Sequence, residues 1–557
     1  MRYTSTGSLL ALSLLASLTH AQSYYDGQRP EIGDHSINWQ TECSYLSPDT
    51  PLPSTPLQCA NLEVPLDYVN HSSNDTLSLT LVKVPARREP VLGSIIMNPG
   101  GPGGSGVEVA IGRAKDLLTI LGDHFNIVSF DPRGVRYTLP FHCFETDVAP
   151  PSNLGNSSDV AIGEAFSAGV AQSHNCQQSN SNTSALLSTA YVARDIIRIV
   201  DALGEDGLLR YWGLSYGTIL GATVASMFPE KVGRLVVDGV ANVVEYYYGL
   251  EPSALEDLDA VVEGFYSSCS KSPSTCALAS DNSTTESIAA KVEDLLLSLK
   301  YQPMVVVSDD NSTELLTYTA IKSAMFSALY FPAGWMKLAV ALQALTEGDP
   351  SGWVTYVGNG TNSERTPYAI NGIRCGEASY RTNKLSNLDT FIAEISNVSE
   401  FGGLDIGPLN DLICASWLVR ANEVYNGTWG VRTKHPVLVI GNTYDPVTPL
   451  SSARNMSSLL PGSVLLEHHG YGHTSLAQPS LCTARIMREY FTNGTLPNEG
   501  TICEATVPLW SNMTEQEALQ PLNPNGTVNG LARREDLNEE LLRAMRRLAG
   551  AFPGPLY

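Results

Sequence analysis

Ser215, Asp445 and His473 each stand where they could help attack a carbonyl carbon, although they lie far apart in this 557-residue chain. Ser215 sits in Gly213-Leu214-Ser215-Tyr216-Gly217, entered by a strand-like run at 208–212 and left by a helix-like run at 218–228. That setting predicts a nucleophile elbow, the sharp strand-to-helix turn that lifts a hydroxyl clear of a sheet. Side chains at Gly213 and Gly217 would strike neighbouring backbone, so the turn calls for glycine there. A hydroxyl is a weak nucleophile until a base accepts its proton. His473 suits that role, set among the glycines of His468-His469-Gly470-Tyr471-Gly472-His473. Asp445, in Gly441-Asn442-Thr443-Tyr444-Asp445-Pro446, would fix the imidazole tautomer and stabilise the imidazolium. The alternatives are a plain turn former at Asp445, and His468 or His469 as the base.

A second chemical feature is the run Asn98-Pro99-Gly100-Gly101-Pro102-Gly103-Gly104-Ser105-Gly106. A phosphate cradle would close on Lys-Ser/Thr or carry a dinucleotide spacing with a downstream acid, and neither is present. Backbone amides of such a loop can instead hold a tetrahedral oxyanion, together with the amide of the residue after the nucleophile. Gly101 and Tyr216 are the expected donors. Asp131 and Arg133, in Asp131-Pro132-Arg133-Gly134, are expected to brace the loop, and Asp195, Asp201 and Asp238 to be structural. The expected chemistry calls for no cofactor and no metal.

These groups need a scaffold, and the apolar pattern predicts one. Strand-like runs fall at 60–66, 77–84, 94–97, 125–130, 235–237, 437–440 and 463–467. Val192, Ile196, Ile199 and Leu203 share a face of a helix over 189–203 with Gly204 as its stop, and Pro229 ends the helix after the elbow. Apolar strands alternating with helices predict an α/β fold, a mostly parallel sheet covered on both faces. Ligand chemistry in such sheets gathers at the carboxyl ends of the strands, and every candidate above follows a strand. The chain order Ser, Asp, His is that of the α/β-hydrolase fold. The expected division is a signal peptide at 1–21, core at 22–240, an inserted helical cap at 241–431, returning core at 432–475, and a C-terminal segment at 476–557.

The length exceeds what one compact core usually holds, which fits a core with a large insertion. A formal charge of −23 argues against nucleic acid and anionic membrane surfaces as partners. Arg2, a short apolar stretch at 9–18 and Thr19-His20-Ala21 read as a secretory signal, because a membrane anchor needs about 20 apolar residues. Asn70, Asn74, Asn156, Asn182, Asn282, Asn311, Asn359, Asn397, Asn426, Asn455, Asn493, Asn512 and Asn525 all stand in Asn-x-Ser/Thr, which predicts a glycoprotein on a secretory route. None of the cysteines has the spacing of a zinc site, so disulfides are expected. Sequence proximity pairs Cys43 with Cys59, Cys143 with Cys176, Cys269 with Cys276, Cys375 with Cys414 and Cys482 with Cys503.

The glycine-rich run at 98–106, Asp131-Pro132-Arg133-Gly134 and Gly213-Leu214-Ser215-Tyr216-Gly217-Thr218 resemble the secreted tripeptidyl aminopeptidases of the α/β-hydrolase fold, relatives of prolyl aminopeptidase. The segment from Cys482 to Cys503, with Tyr490-Phe491-Thr492-Asn493-Gly494-Thr495-Leu496-Pro497, is similar to that family's C-terminal segment. The resemblance implies a secreted exopeptidase that removes residues or short peptides from free N-termini. It further implies a cap carboxylate for the substrate ammonium, and Glu377, after Cys375-Gly376, stands where the family places an acidic residue. Gly134-Val135-Arg136 lacks the family's usual second glycine, and Ala241-Asn242 replaces a common Asp-Pro. A peptide is thus the first expected substrate. A small-metabolite ester or lactone, opened by the same three residues, is the second, because fold and triad do not fix the acyl group.

Overall fold

The computed structural model describes residues 36–43, 55–143, 153–307, 313–358, 368–519 and 532–549. The expected signal segment and the acceptors Asn311, Asn359 and Asn525 lie outside these residues. Among the described residues nine strands form one sheet: β1 (Gln58–Pro65), β2 (Thr76–Val84), β3 (Ser94–Asn98), β4 (Asn126–Phe130), β5 (Leu209–Leu214), β6 (Val232–Asp238), β9 (Leu438–Tyr444), β10 (Val464–Tyr471) and β11 (Ile502–Glu504). Their order is β1-β2-β4-β3-β5-β6-β9-β10-β11, with β7 (Met304–Val307) and β8 (Thr313–Leu316) forming a separate hairpin. β1, β2 and β4 pair antiparallel. From β4 onward every neighbour is parallel.

Alternate residues of each strand feed opposite faces. Ile95, Met97, Trp212 and Leu214 join the helices Gly106–Leu121, Leu481–Asn493 and Ala532–Leu548 in one core. Ile96, Tyr211, Leu235 and Val237 join the helices Thr189–Leu203 and Tyr216–Met227 in another. Gly204 closes the first of these in the left-handed conformation, φ 67°, as a helix stop should.

Between β6 and β9 the chain builds a cap with its own apolar core, which includes Leu258, Phe265, Ile321, Trp335, Leu342 and Leu412. Its hairpin β7–β8 was not expected. The boundaries also differ from those read in the sequence. The helix Ala161–Ser179, assigned there to the first core segment, packs on the cap helix Gly407–Ala415, and Phe166 belongs to the cap core. Gly169 makes that approach possible, because a Cβ there would lie 2.9 Å from Ile413 Cα. The tail also reaches the cap: Trp510 Nε1 donates to Ser268 Oγ at 2.7 Å, and its ring tilts against Phe265 at 5.4 Å.

Disulfides join Cys43–Cys59, Cys143–Cys176, Cys269–Cys276, Cys375–Cys414 and Cys482–Cys503. No helix among the described residues is long and apolar enough to cross a membrane. Every described acceptor asparagine is exposed, as attachment of a glycan requires.

Candidate active site

Ser215 occupies the corner between β5 and the helix Tyr216–Met227, half-buried, with φ 57° and ψ −124°. This conformation costs an ordinary residue about 1–3 kcal/mol, so the surroundings must hold it. They do so through backbone bonds. Ser215 N donates to Asp238 O at 3.0 Å, Thr218 Oγ1 donates to Ser215 O at 2.6 Å, and Tyr211 OH donates to Gly217 O at 2.8 Å. A Cβ on Gly213 would lie on Gly217 O, and one on Gly217 would stand 2.8 Å from Asn98 O.

The glycine-rich loop folds against this corner. Gly100, at φ 92°, comes so near that a Cβ would meet Leu214 O and lie 2.8 Å from Ser215 Cβ. Asn98 Oδ1 accepts from Gly100 N at 3.0 Å, and Gly104 N donates to Gly100 O at 3.1 Å. Gly101 follows at φ 114°. Below the loop, Asp131 accepts from Ser105 Oγ at 2.7 Å and from the amides of Val107 and Tyr137. Burial lifts its carboxyl to about 6 against those donors. Arg133 is fully buried, makes two bonds to Asp195 at 2.7 and 2.8 Å, and caps Leu66 O and Pro65 O.

His473 and Asp445 meet at the ends of β10 and β9. The ring Nδ1 lies 3.0 Å from both Asp445 oxygens and 3.1 Å from Thr448 Oγ1. A proton on Nδ1 satisfies the carboxylate and leaves the Nε2 lone pair to act as base. Asp445 also accepts from the amides of Val447, Thr448 and Thr474 at 3.1, 2.9 and 3.0 Å. Burial pushes its carboxyl up, but the His473 charge and these donors outweigh that and hold it below the ordinary range. The histidine loop is fixed from two sides. Asn442 Nδ2 donates to Gly472 O and Thr474 O, both at 2.8 Å. From the cap, Tyr330 O accepts from His473 N at 2.9 Å, and the Tyr330 ring stands edge-on to the imidazole at 5.0 Å.

Asp238 joins the two halves of the site. Its carbonyl holds Ser215 N, while its carboxylate accepts from Ser475 N at 2.8 Å and Ser475 Oγ at 2.6 Å. Burial raises this carboxyl to about 6. Gly239 lets the strand end approach, because a Cβ there would stand 2.6 Å from Thr474 Cγ2. The elbow and the histidine loop thus hang on one residue. Asp238 stands at a strand's carboxyl end, and that position was its signal in the sequence. Thr448 and Asn442 lie within or beside the quoted Asp445 motif. Tyr330 carried no sequence signal at all.

The alternative histidines are placed elsewhere. His468 is buried, bonds Thr483 Oγ1 through Nδ1 at 3.0 Å, and is pushed down to about 4 by burial. His469 bonds Thr443 Oγ1 at 3.1 Å. Glu377, expected to meet the substrate ammonium, is placed among internal donors. Only 2% exposed, it accepts from Thr189 N at 2.9 Å, Thr189 Oγ1 at 2.6 Å and Tyr246 OH at 2.6 Å. Three of its about four lone-pair sites are thus taken by internal donors. The residues that depart from the family pattern have local roles: Arg136 pairs with Glu108 at 2.9 Å, and Asn242 caps the helix Val243–Tyr248.

The parallel sheet, the strained serine corner and the histidine–aspartate pair at adjacent strand ends define a serine hydrolase of the α/β-hydrolase fold. Residues 93–273 match the model of the alpha/beta hydrolase fold, and residues 407–503 match that of TAP-like proteins. Together with the relatives it resembles, these two matches support the tripeptidyl aminopeptidase-like serine peptidases of that fold. It is 27% identical to serine protease Hip1 of Mycobacterium tuberculosis, over 85% of this chain and 92% of that protein. Against the tripeptidyl aminopeptidase of Streptomyces coelicolor it is 25% identical over 85% and 87%. Against carboxylesterase B of Mycobacterium tuberculosis it is 27% identical over 80% and 86%.

Proposed function

We propose that this chain is a secreted aminopeptidase that cleaves peptide bonds near free N-termini through an acyl-enzyme on Ser215. His473 Nε2 takes the Ser215 proton as Oγ attacks the carbonyl carbon, and Asp445 steadies the imidazolium. The amides of Gly101 and Tyr216 hold the oxyanion, each such donor being worth about 10²–10³ in rate. The imidazolium then protonates the leaving amine, and a water repeats the sequence to free the acyl group. The observation that carries this reading is Asp238, which bonds the serine corner and the histidine loop at once. Likeness to both Hip1 and the tripeptidyl aminopeptidase supports peptide as the substrate class. The disulfides, the exposed acceptor asparagines and the N-terminal segment support secretion.

A fluorophosphonate probe should label Ser215, and folded protein that takes no label would sink the mechanism. Peptide anilides with free and acetylated N-termini then test the substrate class: an aminopeptidase turns over the free form and rejects the blocked one. The second reading, an esterase or lactonase, is favoured by the 27% identity to carboxylesterase B. Preference for simple esters over both anilides would select it.

A further inference from the structure

The surroundings of the buried Glu377 are specific. Four elements converge on it: the helix Ala369–Glu377 that carries it, Thr189 at the start of Thr189–Leu203, Tyr246 in Val243–Tyr248, and Tyr216 at the start of the elbow helix. Tyr216 OH lies 2.7 Å from Thr189 Oγ1, whose own proton is directed at Glu377 Oε1 at 2.6 Å. The ionised carboxylate therefore fixes the direction of the chain, Tyr216 to Thr189 to Glu377. Tyr216 is the residue after the nucleophile, and its backbone N–H is one of the two proposed oxyanion donors.

We infer that Glu377 is a positioning residue which, through Thr189 and the Tyr216 phenol, holds the first turn of the elbow helix and hence the Tyr216 amide in place. The inference rests on Ser215 being the nucleophile. Its chemistry follows from donor counting. Glu377 Oε2 faces a backbone N–H of Thr189, which can only donate, whereas Oε1 faces two hydroxyls, which can turn round and accept. A proton added at Oε1 makes Glu377 a donor to one of these two hydroxyls, and given to Thr189 Oγ1 it reverses the chain to Tyr216. Glutamine, with its oxygen toward Thr189 N, presents two donors and no acceptor to the hydroxyls, so both must accept.

The groups facing Glu377 are Tyr216, Tyr246 and Tyr247, all raised by burial, and the uncharged Thr189. Arg374, one turn earlier on the same helix, is engaged by Glu251 and Asp411, each at 2.6 Å. Burial lifts the Glu377 carboxyl to about 7, against the pull of its three donors. The ionised form that fixes the direction of the chain is therefore the major one only above that pH.

The test uses the full chain as Glu377→Gln, Tyr216→Phe and the double variant. Tyr216→Phe removes one hydroxyl and leaves Glu377 in place, so it guards against a folding failure in the other. Turnover is read on a free-amine peptide anilide and on p-nitrophenyl acetate, with the fluorophosphonate labelling rate of Ser215 as a third readout. Each single variant should lower kcat on both substrates and slow labelling by about tenfold, less than outright loss of an oxyanion donor. KM should stay within about twofold, and the double variant should be no worse than either single one, because both cut one chain. The wild-type pH–kcat profile should show a rise near pH 7 that both variants lack. Unchanged kcat and labelling, or losses that multiply, would overturn the inference. A Glu377→Gln defect confined to KM for the free-amine peptide would restore the ammonium role instead. Failure of the wild type to take label would sink the nucleophile rather than Glu377.

Discussion

The strand ends and the cap are held together by different physics. Around Ser215 and His473 the fixing groups are side chains bonded to backbone: Asp445 to three amides, Asn442 to two carbonyls, Asp238 to Ser475 N. The cap instead relies on buried ion pairs between distant segments. Lys322 meets Asp405 at 2.6 Å, with Tyr318 OH on the same carboxylate, and Arg374 meets Glu251 and Asp411. A backbone partner is present whatever residue occupies the position, so the strand-end geometry survives sequence change around it. An ion pair needs both side chains at once. The comparison teaches that the reacting end of this molecule is fixed mainly by side chains bonded to backbone, while the cap depends on matched charged partners.

Three experiments would sharpen or break that contrast. The largest effect is expected from Asp445→Asn, which keeps the shape but presents an amide to His473 and disfavours the useful tautomer. Steady-state kcat should fall by about 10⁴, with the thermal midpoint nearly unchanged; a loss under tenfold would remove Asp445 from the mechanism. Next is Lys322→Ala, which leaves the Asp405 carboxylate buried without its cation. Denaturant unfolding should show a loss of about 3–5 kcal/mol, and the Ser215 labelling rate at a temperature where the fold persists should stay within about twofold of wild type. If labelling collapses with it, cap and site are one unit and the contrast fails.

The smallest effect concerns pH. Glu377 at about 7 and Asp238 and Asp131 at about 6 are all raised by burial. A raised carboxyl binds its proton more tightly when folded, so its stabilisation is full below the ordinary value of about 4 and is lost as pH rises through 6 to 7. The melting temperature should therefore fall by a few degrees between pH 5 and pH 8. A rise over that interval would mean these groups do not govern the pH dependence.

Much of the reacting end was legible in the sequence because each of its parts has a local cause. A glycine-flanked serine between an apolar strand and a helix has few other ways to fold. β3, β5 and β6 read as short apolar runs because a central parallel strand is buried on both faces. The helix over 189–203 ended at Gly204 as its pattern required. The cap was not legible to the same degree. Its core joins 161–179 to 407–415 across more than two hundred residues, and no local pattern announces such a pairing. Tyr330 touches His473 only because the cap brings it there, and Glu377 is bonded by hydroxyls from two other elements.

The cysteines carry a consequence for how the molecule is made. Each one bonds its next neighbour along the chain, at separations of 7 to 39 residues, and no loop encloses or crosses another. Synthesis from the N-terminus therefore delivers both thiols of every pair before the first thiol of the next. The native linkages can close in order of emergence, with no mispaired bond that must be undone later.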